Sequence, residues 1–230
     1  MKYDAVIFDL YGTLVPGYPK RASEVIQTRI AEAIGVDVES FRQLWQATYP
    51  RRAAGEFEGY LGNVRFICQE LAAAPTREQL SEAERIRMAA IRDSLQPKDG
   101  SAELVRRIRQ AGYRTGLVSD CTCEIPECWP ETPFAELIEA PIFSATAGVK
   151  KPDPAIYLMC TDKLDVQPER CLFVGDGGSN ELSGARNVGM DAVLVREPYE
   201  DSYEPQRPDV ESWTGPSIGK IHELGEWLEL

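Results

Sequence analysis

Two aspartates, a lysine and a serine–aspartate pair stand where apolar runs of this sequence end or turns begin. Asp9 closes the run Ala5-Val6-Ile7-Phe8 and is followed by Tyr11, Gly12 and Thr13. A carboxylate carried by a buried strand to an exposed turn can act as a nucleophile and form an acyl-type intermediate such as an aspartyl phosphate. An aspartate before a glycine can also simply cap a turn, so Asp9 alone decides nothing. Asp176 lies in VGDGGSNE, behind the run Cys171–Val174. The glycines after it allow close backbone approach to a ligand, and the helix expected next offers amide groups to an anion. With Asp9 it could hold Mg²⁺, a hard ion that takes carboxylate and carbonyl oxygens and keeps some waters. Lys151, in GVKKPDPAIY, precedes a proline that biases it to an extended shape. From there its ammonium can neutralise a phosphoryl oxygen or the nucleophile, while Lys150 is expected to face solvent. Position 180 is Asn where a dinucleotide fingerprint has its third glycine, and no GxxxxGK loop occurs.

Strands and helices must bring these groups together. Thr115 to Ser119 reads as a strand, Ile142 to Ser144 as a short one, and Cys171 to Val174 and Ala192 to Val195 as two more. Helices are expected over 101–111, Pro154 to Lys163 and Glu181 to Val188. Apolar strands alternating with helices mean an α/β fold, a doubly wound parallel sheet with helices on both faces. Ligands of such sheets sit beyond the carboxyl ends of the strands. Asp9, Ser119-Asp120 and Gly175-Asp176 all fall at that edge. Between Arg21 and Ser94 the pattern is helical throughout. Val25, Ile26, Ile30 and Ile34 recur at helical spacing before Gly35, a second helix ends at Pro50, a third runs from Tyr60 to Leu71, and a fourth runs from Glu78 towards Ile91. Four helices without a strand suggest an insertion. Residues 197–212, acidic and proline-bearing, read as loop, and Ile218 to Leu230 as a final short strand or helix.

The 230 residues suffice for one larger domain or a core with an insertion, and 43% hydrophobic with 27% charged residues is ordinary for a soluble globular chain. The net charge of −12 argues against nucleic acid or an anionic membrane as partner. No apolar stretch has membrane-helix length, and the N-terminus lacks a signal-peptide pattern. A cytoplasmic location is expected, with the six cysteines as thiols.

The four segments FDLYGTL, VSD, KKPDP and VGDGGSNELSGA, in this order and around a helical insertion, resemble the haloacid dehalogenase superfamily of hydrolases. The resemblance implies a Rossmann-like catalytic core of residues 1–15 and 96–230 and a helical cap domain of residues 16–95. It implies Asp9 as nucleophile, the carbonyl of Tyr11 as a metal ligand, and Asp176 as the Mg²⁺ carboxylate with Glu181 as its outer partner. Lys151 would steady the phosphoryl charge, and Ser119 would hydrogen-bond the phosphoryl group. Asp120, Gly12 and Thr13 would join it around the substrate.

Tyr11 departs from the phosphatase pattern, which has an aspartate there to protonate the leaving group and later activate water. A phenol of pKa near ~10 is a poor base at neutral pH, and tyrosine at this position is typical of the dehalogenase members. Those members lack the acidic metal site, however, whereas Asp9, Asp176 and Glu181 keep it here. Like charges gathered without a cation are costly. Asp120 also stands where a dehalogenase has asparagine. The favoured expectation is therefore a Mg²⁺-dependent phosphohydrolase of a small phosphate ester or acyl phosphate. A metal-free 2-haloacid dehalogenase and a catalytically degraded binding protein are the alternatives. Cys121, Cys123 and Cys128 lack the fourth ligand of a structural zinc. Arg51 and Arg52 could reach a substrate anion, and Trp45, Tyr49, Phe57 and Tyr60 suit cap core or pocket wall. Substrate and oligomeric state stay open.

Overall fold

Every side chain of the first strand, β1 (Ala5–Phe8), is buried, because both faces of the sheet it enters are covered. Val6 and Phe8 point into one hydrophobic cluster, and Ala5 and Ile7 into another on the opposite face. The computed structural model describes residues 2–196 and 207–230.

After β1 come five helices: α1 (Lys20–Ile34), α2 (Val38–Ala47), α3 (Tyr49–Ala53), α4 (Gly59–Glu70) and α5 (Arg77–Ser94). The alternating part follows as α6 (Ser101–Gln110), β2 (Arg114–Ser119), α7 (Glu124–Cys128), β3 (Ala140–Phe143), α8 (Ser144–Ala147), α9 (Pro154–Leu164), β4 (Cys171–Gly175), α10 (Glu181–Asn187) and β5 (Asp191–Val195). The last elements are α11 (Pro208–Ser212), β6 (Ser217–Ile218) and α12 (Glu223–Trp227). Among the described residues, six strands form one sheet in the order β3-β2-β1-β4-β5-β6, and every pairing is parallel. This is the expected α/β architecture. Because β1 lies between β2 and β4, the ends that carry Asp9, Ser119 and Asp176 are neighbours.

The helices between β1 and α6 bury a cluster of their own, built on Ile30, Ile34, Phe41, Trp45, Val64, Ile67 and Ile86. Helix α5 belongs to both layers. Ala83 and Ile86 pack in the helical cluster, and Met88, Ile91 and Leu95 at its end join the sheet's cluster. A capping box between Thr76 and Gln79 starts it.

Three details differ from the sequence-based expectation. Pro50 does not only end a helix; it sits in the first turn of the short helix α3, where its missing N–H costs nothing. Ser144 opens α8 instead of closing a strand. In the segment read as loop over 197–212, residues 208–212 form α11, while 197–206 lie outside the described residues. At the C-terminus, strand and helix are both present.

Candidate active site

The loop behind β1 sets the first group. Asp9 is 6% exposed, its backbone amide donates to the carbonyl of Val174, and Thr13 Oγ1 donates to Asp9 Oδ2 at 3.2 Å. On the other oxygen, Lys151 Nζ lies 2.6 Å from Asp9 Oδ1 and also 2.5 Å from Glu181 Oε2. Lys151 is buried; its peptide bond to Pro152 is cis. Burial alone would lower the ammonium's pKa, but the charges of Asp9, Glu181 and Asp120 outweigh it and hold the group protonated. Lys150 is exposed, as expected.

The turn after β4 sets the second. Asp176 Oδ1 accepts from the amide of Gly178, and Arg207 lies 3.3 Å from Oδ2. Glu181 Oε1 accepts from the amide of Gly177. The two glycine amides thus serve the protein's own carboxylates. Gly177 has φ +89, and Gly175 leaves room for Glu181: a Cβ there would stand 2.2 Å from Oε1. Asp209, on α11, receives the amides of Leu182 and Ser183 and so caps α10.

One oxygen each from Asp9, Asp176 and Glu181 lie within 4.8 Å of one another, all three residues buried. Opposite ligands of an octahedral Mg²⁺ are roughly 4.2 Å apart, so this donor set fits one hard divalent cation with small adjustment. The electrostatics agree. Burial first, then the charge of Asp9, pushes the carboxyls of Asp176 and Glu181 above their ordinary range, against the pull of Arg207 and Lys151. A cation would relieve that repulsion.

These groups open into a cavity of about 140 Å³ between the sheet edge and the helical layer. Asp9, Tyr11, Ser119, Asp120, Lys151, Asp176 and Glu181 line it; Gly12 and Thr13 do not. Gly12 instead offers its carbonyl to Lys98 Nζ at 2.6 Å. Asp120 accepts the amide of Lys151 through Oδ1. The Tyr11 phenol lies 2.7 Å from Ser94 Oγ, whose own proton goes to the carbonyl of Ile91. The phenol is therefore the donor, and its proton points to α5. Burial raises its pKa further.

The chain matches the haloacid dehalogenase-like hydrolases over residues 3–189. It belongs to that family. A glyceraldehyde 3-phosphate phosphatase of Methanopyrus kandleri is 24% identical over 89% of both chains. Its counterpart from Pyrococcus furiosus is 33% identical over 100 residues, and there the chain spans only about two fifths (41%) of the relative's length. An (S)-2-haloacid dehalogenase of Burkholderia cepacia is 23% identical over 90% of both chains. Among solved structures, a haloacid dehalogenase-type phosphatase from Thermococcus onnurineus shares the fold with a TM-score of 0.66 at 21% identity, covering 98% of this chain and 97% of its own.

In this hydrolase the cavity's outer wall comes from the helical layer. Tyr18, Ser23, Trp45, Tyr49, Arg52 and Arg87 contribute to it. Of the two arginines considered from sequence, Arg52 is at the cavity, donating to the carbonyl of Trp45 at 2.7 Å with its guanidinium 3.8 Å from that ring's centre. Arg51 instead pairs with Glu56 on the surface. Trp45 and Tyr49 line the cavity, whereas Phe57 packs at a tilt against Phe66 and Tyr60 packs against Trp45 in the helical cluster. All six cysteines are free thiols. Cys121 lines the cavity, and burial drives its thiol upward in pKa, away from reactivity. Among the described residues, no helix is long and apolar enough to cross a membrane.

Sequence reasoning missed Arg207, Arg87 and Ser23. Arg207 had a signal: it is the lone cation in the acidic stretch 197–212. The others occupy ordinary helical positions and announce themselves only in three dimensions.

Proposed function

We propose that this chain is a Mg²⁺-dependent phosphohydrolase of a small phosphorylated metabolite, working through an aspartyl-phosphate on Asp9. The observation that carries this reading is the cluster of Asp9, Asp176 and Glu181 around one point, bridged by Lys151. A carbon–halogen displacement by Asp9 would have no use for two further buried carboxylates.

In this reading α1–α5 act as a cap over a core that carries the chemistry, with the division near residues 16 and 95. Asp9 Oδ2, oriented by Thr13, attacks phosphorus in line with the leaving oxygen. Lys151 holds Asp9 in place and neutralises charge gathering on the phosphoryl oxygens. Ser119, at the end of β2, donates to one of those oxygens. Glu181 fixes Lys151 and the turn of Gly177, acting from outside. Asp9, Asp176 and the carbonyl of Tyr11 would hold Mg²⁺, which when bound offsets the charge of the carboxylates and the phosphoryl group together. Tyr11 does not supply the proton for the leaving group, since its phenol donates to Ser94. Either the leaving group needs little protonation, as in an acyl phosphate, or Asp120 protonates it.

The test is phosphate release across a panel of phosphate esters and acyl phosphates, with and without Mg²⁺, using Asp9→Asn as control. Release that needs both Mg²⁺ and Asp9 supports the reading. One feature favours a second reading: Tyr11 stands where a dehalogenase has it, and a dehalogenase is among the relatives. Halide release from 2-halo acids in the presence of a chelator, with no phosphate release, would establish that alternative.

A further inference from the structure

Arg207 reaches the cavity from a part of the chain well beyond the four segments that carry Asp9, Ser119, Lys151 and Asp176. It stands just before α11, and its Nη2 lies 3.3 Å from Asp176 Oδ2. Its neighbours in sequence fix it there. Asp209, 2% exposed, receives the amides of Leu182 and Ser183. Val210 packs on the turn itself, since a Cβ on Gly177 would meet its Cγ2 at 2.8 Å. The backbone beside Arg207 is thereby pinned to the turn that carries Asp176. The guanidinium, at the end of a long side chain, belongs to the lining of the cavity.

Each carboxylate of the cluster already has a cation of the protein's own. Lys151 serves Asp9 and Glu181, and Arg207 serves Asp176. The other oxygen of Asp176 accepts from Gly178. A divalent ion bound to Asp176 would stand beside the guanidinium, like charge against like charge. The Lys151 side chain is 3% exposed and that of Arg207 15%, so Arg207 is the one with room to give way. Two cations against three carboxylates leave one net negative charge, and a divalent ion turns it into one net positive charge. A phosphoryl group is the anion that the displaced guanidinium then lacks. Resting on the phosphohydrolase reading, we propose that Arg207 is exchanged between two anions: it pairs with Asp176 before Mg²⁺ binds and turns to the substrate's phosphoryl group once Mg²⁺ takes that carboxylate. A guanidinium presents parallel N–H groups that match carboxylate and phosphoryl oxygens equally, which suits it to the exchange. Mg²⁺ arriving alone is opposed by Arg207, whereas Mg²⁺ and a phosphoryl group together favour each other.

The test is calorimetry on the full chain with two probes, Mg²⁺ alone and inorganic phosphate at saturating Mg²⁺. Arg207→Gln removes the charge and keeps a polar side chain. In that variant Mg²⁺ alone should bind about fivefold or more tighter, and phosphate about tenfold or more weaker. Arg207→Lys, which keeps the charge without the fork, should leave Mg²⁺ affinity within about twofold of wild type and restore part of the phosphate affinity. The opposite signs separate exchange from a merely structural role, since a damaged turn would weaken both probes. Mg²⁺ affinity unchanged or weakened in Arg207→Gln, or phosphate affinity unchanged there, overturns the proposal. Phosphate release from esters by the wild-type chain is scored separately. Opposite shifts in Arg207→Gln without phosphate release would sink the phosphohydrolase reading alone, and Mg²⁺-dependent release without those shifts would sink this one alone.

Discussion

At the scale of single residues, the unusual feature is a phenol two positions beyond Asp9, the proposed nucleophile. Tyr11 is held by Ser94, and its proton is committed there. Burial keeps the phenol protonated well above its ordinary range, so it neither accepts nor releases a proton near neutrality. General acid–base help of the kind it replaces is worth about 10²–10⁴-fold. A Tyr11→Asp variant should therefore raise turnover of simple phosphate monoesters by about that order, with a smaller gain on acyl phosphates, whose leaving groups need little protonation. Steady-state kinetics on both classes would check it; an unchanged or lower rate on monoesters would show that the missing acid is not what limits this enzyme. Asp9→Asn, by contrast, should abolish turnover on both classes while leaving the fold intact by circular dichroism, since Lys151 keeps Glu181 as a partner.

Between elements, one buried ion pair joins the helical layer to the core. Arg87 on α5 donates through Nε to Glu124 of α7 at 2.6 Å, with Tyr18 and Thr122 at its other nitrogens. Both partners are almost fully buried. Burial pushes the Glu124 carboxyl up, but the charge and hydrogen bond of Arg87, aided by Thr122, win and hold it down at about 2. A depressed carboxyl contributes stability above its unfolded pKa and loses it as pH falls through the folded value. Urea unfolding should show stability dropping between about pH 4.5 and pH 2, with that slope largely absent in Arg87→Met. Removing Arg87 alone strands a buried carboxylate and should cost about 3–5 kcal/mol at neutral pH. Arg87→Met combined with Glu124→Leu should cost less than the single change. A double variant as unstable as the sum of its singles would show that the two groups do not act as a pair.

Across the whole molecule, the sheet and its edge were legible because parallel strands buried on both faces read as unbroken apolar runs, as Ala5–Phe8 and Cys171–Val174 do. That Lys151 could neutralise the carboxylate of Asp9, 142 positions away, was foreseen, but its second partner Glu181 was not legible, because only the fold brings the two side chains together. Helix α11 was hidden by its acidic, proline-bearing sequence, although Asp209 there caps α10. The inner wall of the cavity, built from strand ends, could be foreseen, and Trp45, Tyr49 and Arg52 of its outer wall were candidates; Ser23 and Arg87 could not be foreseen, because only helix packing brings them there. The wall also answers a question of charge. In a chain of net −12, Lys151, Arg52, Arg87 and Arg207 converge on one cavity and match the carboxylates Asp9, Asp120, Asp176 and Glu181 in its lining, so a divalent cation bound there would tip the local field in favour of an anion. The most direct measurement of the account is chemical trapping of the nucleophile. The enzyme is quenched during turnover of a phosphate ester with Mg²⁺, reduced with borohydride and mapped by mass spectrometry. The account predicts homoserine at position 9, the reduction product of an aspartyl phosphate, formed only with Mg²⁺ and substrate together. Phosphate release with Asp9 unmodified, or Asp9 esterified by a 2-halo acid without metal, would contradict it.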